Sequence, residues 1–89
     1  MDLSDTVVDD LRTRLHRVEG QIRGIEKMLE DGRECRDLVT QLSAANKALE
    51  QVGFRLVSAG LTYCVTDPDK AAAEGYPLDE VEKMFRKLA

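Results

Sequence analysis

Two long stretches of the chain repeat apolar residues at alternating steps of three and four, the period of one helix face packed on another. In the first, Val8, Leu11, Leu15, Val18, Ile22, Ile25 and Leu29 line one side. In the second, Leu38, Leu42, Ala45, Leu49, Val52, Leu56, Ala59 and Tyr63 do the same, with no proline among them. Ser4 or Asp5 can cap the first stretch. Asp9 and Asp10 follow where the positive end of a helix dipole favours acids, and Gly32 is placed to end the helix in a left-handed turn. These signals predict helices over about residues 5–31 and 34–66. Gly20 and Gly24 fall inside the first, each costing about 1 kcal/mol relative to alanine. They are either tolerated in a long helix or mark the close approach of another helix or a ligand.

After Cys64 the segment VTDPDKAAAEGY contains Pro68 and Gly75 and reads as a loop, with at most one helical turn through the alanines. A third, short helix is predicted over about 77–88, with Pro77 in its first turn and Leu78, Val81, Phe85 and Leu88 on its apolar face. Two helices with matching stripes and a short connection pack as an antiparallel hairpin, and two hairpins make an antiparallel four-helix bundle. The fold class is all-α, three helices per chain in a single domain, 1–89. A chain of 89 residues has too little bulk to cover so long a stripe alone, so a homodimer is expected.

No apolar run is long enough to span a membrane, and the N-terminus lacks the basic-then-apolar pattern of a signal peptide. The expectation is a soluble, cytoplasmic protein without a membrane partner. Its net charge of −4 argues mildly against nucleic acid, but the distribution of charge matters more. Arg12, Arg14, Arg17, Arg23 and Lys27 crowd the first helix, against Glu19 and Glu26. Arg14, Arg17 and Gln21, at i, i+3 and i+7, form a face that avoids the apolar stripe. The plain reading of such a face is solvated side chains with intrahelical ion pairs.

The chain has two cysteines, and they stand at the two ends of the second helix. The 29 steps from Cys35 to Cys64 span roughly 43 Å of helix, whereas a disulfide needs Cα atoms about 4.4–6.8 Å apart. A second copy packed antiparallel would set Cys35 of one chain beside Cys64 of the other. Cys35 lies in the first turn, between Arg33 and Arg36, where a helix start favours a negatively charged sulfur; Cys64 lies at the opposite end. Each inter-subunit site then pairs an attacking with a resolving cysteine. Either cysteine alone is most simply a small buried hydrophobe; the facing placement of both favours function. Two thiolates also suit a soft ion such as Cu(I), usually with a third ligand. Position 60, one turn before Cys64, would be ideal for an imidazole, but it is Gly60, and the single histidine, His16, lies off the stripe of the first helix. With no general base near Cys35 and no sheet to form a cleft, the chain is not expected to be an enzyme.

RLHRVEGQIRGIEKML, Cys35 with DLVTQLSAANKALE, and then Leu61 and Cys64 together resemble the copper-sensitive operon repressor (CsoR) family over about residues 10–66. The resemblance implies three helices, a four-helix-bundle dimer, a disc-shaped homotetramer, and operator DNA binding that is released when the cysteine site is occupied. Copper-sensing members resemble one another in a Cys–His–Cys set. Cys35 and Cys64 match its cysteines, and Gly60 stands where its histidine belongs. A branch with two cysteines and no histidine is similar to sulfurtransferase-operon repressors, which sense persulfides and polysulfides by linking subunits through sulfur. The resemblance thus implies a repressor of double-stranded operator DNA whose inducer is a reactive sulfur species, with no cofactor. The alternative is a Cu(I) sensor using the two cysteines and a non-histidine third ligand, with Glu80 an outer-shell candidate. It also turns the basic face of the first helix toward DNA: Arg14, Arg17 and Gln21, with Arg55 and Lys47 in support.

Overall fold

The computed structural model describes residues 3–88 and is all-helical among them. Helix α1 (Asp5–Glu30) is capped by Ser4, whose Oγ accepts a hydrogen bond from the Val7 N–H at 3.3 Å. It ends through Gly32, which adopts φ +69°; the Gly32 N–H donates to the Leu29 carbonyl at 3.2 Å and the Arg33 N–H to the Met28 carbonyl at 3.0 Å. Helix α2 (Cys35–Thr66) then runs 32 residues without a break. The two form a hairpin 55 Å long in a molecule only 24 × 14 Å in its other dimensions. Its antiparallel sense is fixed by Asp10, near the start of α1, meeting Arg55 in the second half of α2.

The segment read as a loop with one helical turn through the alanines holds that turn within a six-residue helix, α3 (Pro68–Ala73). Asp67 caps it, its Oδ1 accepting from the Lys70 N–H at 3.2 Å. The last helix, α4 (Leu78–Arg86), begins one residue later than expected, because Pro77 takes an extended conformation (ψ 156°) and serves as N-cap rather than as a first-turn residue. The chain therefore has four helices among the described residues, not three. The additional one, α3, is too short to leave a periodic trace in the sequence.

The apolar stripe of α1 resolves into two seams. Val7, Leu11 and Val18 are buried, and Arg14, Gln21, Ile25 and Met28 are half-buried, so residues 7, 11, 14, 18, 21, 25 and 28 face α2. Leu15, Ile22 and Leu29 stay exposed on the flank, as do Leu42, Leu49 and Phe54 on α2. A hairpin that leaves this much aliphatic surface in water has a second apolar face, continuous along its length.

Gly32 and Gly24 give this architecture two opposite tests. Replacing Gly32 with alanine forces a Cβ into a left-handed conformation and is expected to cost about 1 kcal/mol. Gly24 lies in helical backbone with nothing within 4 Å of a built Cβ, so Gly24→Ala is expected to add about 1 kcal/mol. Urea unfolding of the two variants against the parent should shift the midpoint in opposite directions.

Candidate functional site

The two cysteines are both free and in opposite environments: Cys35 is exposed and Cys64 is 5% exposed. Cys35 is the first residue of α2, following Glu34 in extended conformation. An ion pair between Arg33 Nη2 and Asp37 Oδ2 at 3.2 Å spans this first turn. Since both cysteines lie on one unbroken helix, neither can reach the other within the chain.

Cys64 owes its burial to the chain doubling back after α2. Asp67 turns the backbone into α3, and the Tyr76 N–H donates to the Ala71 carbonyl at 2.8 Å. Tyr63 Oη donates to Glu74 Oε2 at 2.6 Å, tying this turn to α2. Cys64, Ala71 and Val81 form a small core, with Tyr63, Tyr76 and Phe85 packed around it. The Cys64 thiol donates to the Tyr76 carbonyl at 3.7 Å. A reagent or ion reaching this sulfur must displace part of the segment after α2.

Among the described residues of one protomer, no group of three or more His, Cys, Asp or Glu side chains is placed to hold a metal ion. His16 is exposed on α1, 3.9 Å from the Glu19 carboxylate, and Glu80 is paired with Lys83 at 3.5 Å. Gly60 is buried on α2. Within one protomer the soft donors are two sulfurs held apart on α2, and position 60 offers no third ligand beside Cys64.

The basic residues singled out from the sequence do not share one open face. Arg17 is exposed, but Arg14 is half-buried and Gln21 turns its amide oxygen inward, buried without a hydrogen-bond partner. The reason is the register of α1, in which positions 14 and 21 belong to the seam against α2. Lys47 is exposed, and Arg55 is half-buried on α2. Asp10 joins two of these residues: its Oδ2 accepts from Arg14 Nε at 3.1 Å and from Arg55 Nε at 3.2 Å. Arg14 Nη1 also donates to Gln51 Oε1 at 3.4 Å. The hydrogen bond from Arg14, assisted by Arg55, holds the Asp10 carboxyl below its ordinary value of 3.8. The i, i+4 spacing of Asp10 and Arg14 was visible in the sequence; the reach of Arg55 across the hairpin was not.

The family model for metal-sensitive transcriptional repressors matches residues 8–87. The chain is 46% identical over 69 residues to the copper-sensing transcriptional repressor RicR of Mycobacterium tuberculosis, which covers 78% of this chain and 69% of that protein. It is 35% identical over 80 residues to the copper-sensing transcriptional repressor CsoR of Bacillus subtilis, covering 90% and 79%. Among solved structures, it superposes on the copper-sensing repressor CsoR with Cu(I) from Geobacillus thermodenitrificans with a TM-score of 0.79 at 36% identity, over 98% of this chain and 91% of that one. The nickel-responsive regulator InrS gives 0.70 at 27% identity, over 99% and 92%.

Two outcomes follow from this geometry. Iodoacetamide should label Cys35 readily and Cys64 at least about tenfold more slowly in the native protein, read by mass spectrometry, because only the second needs a local opening. The Asp10 pair should also make stability pH-dependent. A folded-state pKa below the unfolded value means a contribution that is complete above about pH 5 and lost as pH falls through the folded value. Urea unfolding of Asp10→Asn should therefore show the larger deficit near neutrality and a shrinking one in acid.

Proposed function

Since the chain belongs to the family of metal-sensitive transcriptional repressors, we propose that it represses transcription from operator DNA and reads its inducer where Cys35 of one protomer meets Cys64 of the partner subunit. One observation carries this reading. An exposed and a buried sulfur stand at the two ends of a single unbroken helix whose flank is apolar and exposed. Antiparallel pairing of two such helices buries that flank and completes two equivalent dithiol sites. Dimers assembled further into a tetramer would place several copies of the α1 cations on one duplex. The same reading puts the protein in the cytoplasm with its operator; no described helix is long and apolar enough to cross a membrane.

Cu(I) is the inducer best supported. Two relatives of this chain, at 46% and 35% identity, are copper-sensing repressors, and two thiolates are the donors a soft monovalent ion prefers. Gly60 supports a second reading, in which the inducer is a persulfide. There the Cys35 thiolate attacks the outer sulfur of RS–SH, forming Cys35–S–SH and releasing RS⁻. The Cys64 thiolate of the partner subunit then attacks the inner sulfur, forming Cys35–S–S–Cys64 and expelling HS⁻. Either event ties the subunits together at the end of α2. From Cys64, a shift of α2 passes to Arg55, and through Asp10 to Arg14 on α1. In this scheme Arg17 meets phosphate directly, Arg14 and Arg55 are set by Asp10, and Gln21 acts through the α1–α2 seam.

Allosteric coupling on the usual scale of about 1–3 kcal/mol per site corresponds to a loss of roughly 5–150-fold in operator affinity. Fluorescence anisotropy on a duplex from the chain's own promoter region, under anaerobic conditions, should show that loss with Cu(I). Cys35→Ala and Cys64→Ala should stay bound. Sodium tetrasulfide that releases the DNA and yields a Cys35–Cys64 adduct by mass spectrometry, where Cu(I) does neither, would select the persulfide reading. Indifference to both agents removes both. Arg17→Ala should lower the slope of log affinity against log salt by about 1 for each phosphate that Arg17 neutralises.

A further inference from the structure

Residues four apart on a helix share a face, so Gly60 stands directly beside Cys64. A Cβ built on Gly60 falls 2.6 Å from Cζ and 2.7 Å from Cε2 of Phe85, and 3.8 Å from Val81 Cγ1. Separations under 3 Å are repulsive for carbon, so no side chain fits at position 60 while the ring is there. The ring comes from α4, where Phe85 and Val81 are also four apart and project together; Val81 is 1% exposed. The tightness is local. At Gly53, seven residues earlier on α2, a built Cβ meets Leu88 Cδ1 at an ordinary 3.5 Å.

We propose that Phe85 is the specificity-determining residue of the cysteine site: its ring takes the space in which α2 would offer a third donor beside Cys64, and so confines the site to two sulfurs. The inference rests on the reading of Cys35 and Cys64 as the inducer site. It extends that reading by assigning the coordination number to α4 rather than to the cysteines. A two-sulfur site takes a Cu(I) ion between two thiolates, or a sulfur bridge, and rejects ions that require nitrogen donors.

The experiment uses the wild type, Gly60→His, Phe85→Ala and the double variant, each as the full-length protein. In the metal-free arm, thermal unfolding should show Gly60→His lowered by at least about 5 °C, as expected of an overpacked site in a domain of this size. Phe85→Ala in that background should recover part of the loss, so that the two effects do not add. Gly60→Ala reads the same contact with a single methyl if the histidine variant does not fold. Additive effects, or position-60 variants as stable as the parent, overturn the proposal without reference to any ion. In the second arm, X-ray absorption of Cu(I)-loaded protein should show sulfur alone in the wild type and an added nitrogen in the double variant. Chelator competition should show at least about tenfold tighter binding in the double variant than in Phe85→Ala. Nitrogen in the wild type, or none in the double variant, sinks this proposal alone. Absence of Cu(I) binding in every protein sinks it together with the copper reading.

Discussion

The structure depends on the rigidity of one helix. Helix α2 runs unbroken for 32 residues and carries a cysteine at its first residue and another two residues before its last. A helix of that length is a ruler, and it keeps the two sulfurs of a protomer roughly 43 Å apart. Any chemistry that joins them must therefore occur between chains. The same rigidity presents the flank of α2, with Leu42 and Leu49 in water, as a straight edge against which an identical edge can lie. If the sulfurs meet between chains as proposed, sensing and assembly both follow from this one geometric fact, and neither needs a preformed pocket within the protomer.

What the rigid helix lacks, the segment after it supplies. Helices α3 and α4 turn back over the end of α2 and seat Ala71, Val81 and Phe85 around Cys64, with the thiol directed at the Tyr76 carbonyl. This cover is small, and short helices contribute little stability of their own. A ligand taking the sulfur as proposed would have to displace this cover. Nine residues earlier on the same helix, Arg55 is tied through Asp10 to α1. A disturbance at Cys64 thus has two outlets, one into a light cap and one along α2, through Arg55 and Asp10, to Arg14 on α1. Both are direct contacts between elements.

The long helices were legible because their signals are local and repeated: a seven-residue apolar period, a serine cap, and a glycine at the exit. The same period hid a distinction. Leu11 and Val18 belong to the seam within the hairpin, whereas Leu15 and Ile22 belong to an outer face, and a single stripe in sequence merges the two. That merger also put Arg14 and Gln21 on an apparent solvent face, when they sit on the flank of the intrachain seam. Helix α3 was too short for periodicity to reveal, and Pro77 fits the first turn and the cap of a helix equally well. The burial of Cys64 depends on contacts with residues 7 to 21 positions further on, reached through turns whose direction no local pattern encodes. The separation of the two cysteines within one chain, by contrast, was arithmetic on helix length.

Gly60 decides how far the likeness to copper sensors carries. A glycine within a helix loses about 1 kcal/mol against alanine, so a buried one is retained at a cost unless its missing side chain is what the packing needs. Here it is: the Phe85 ring rests where a Cβ would be. An imidazole at that position and an aromatic ring on α4 are mutually exclusive solutions to filling one space. The first would add a third ligand beside Cys64; the second puts an apolar wall beside that sulfur instead. In the second case the apo fold is already packed around Cys64, and the inducer must compete with that packing. Cu(I) held by the two thiolates would gain two strong sulfur bonds at the expense of the packing of the cap. A sulfur bridge makes covalent bonds and does not depend on filling a third coordination position. On the proposed reading, the balance between the two inducers turns on how firmly α4 closes over α2 through Phe85 and Val81.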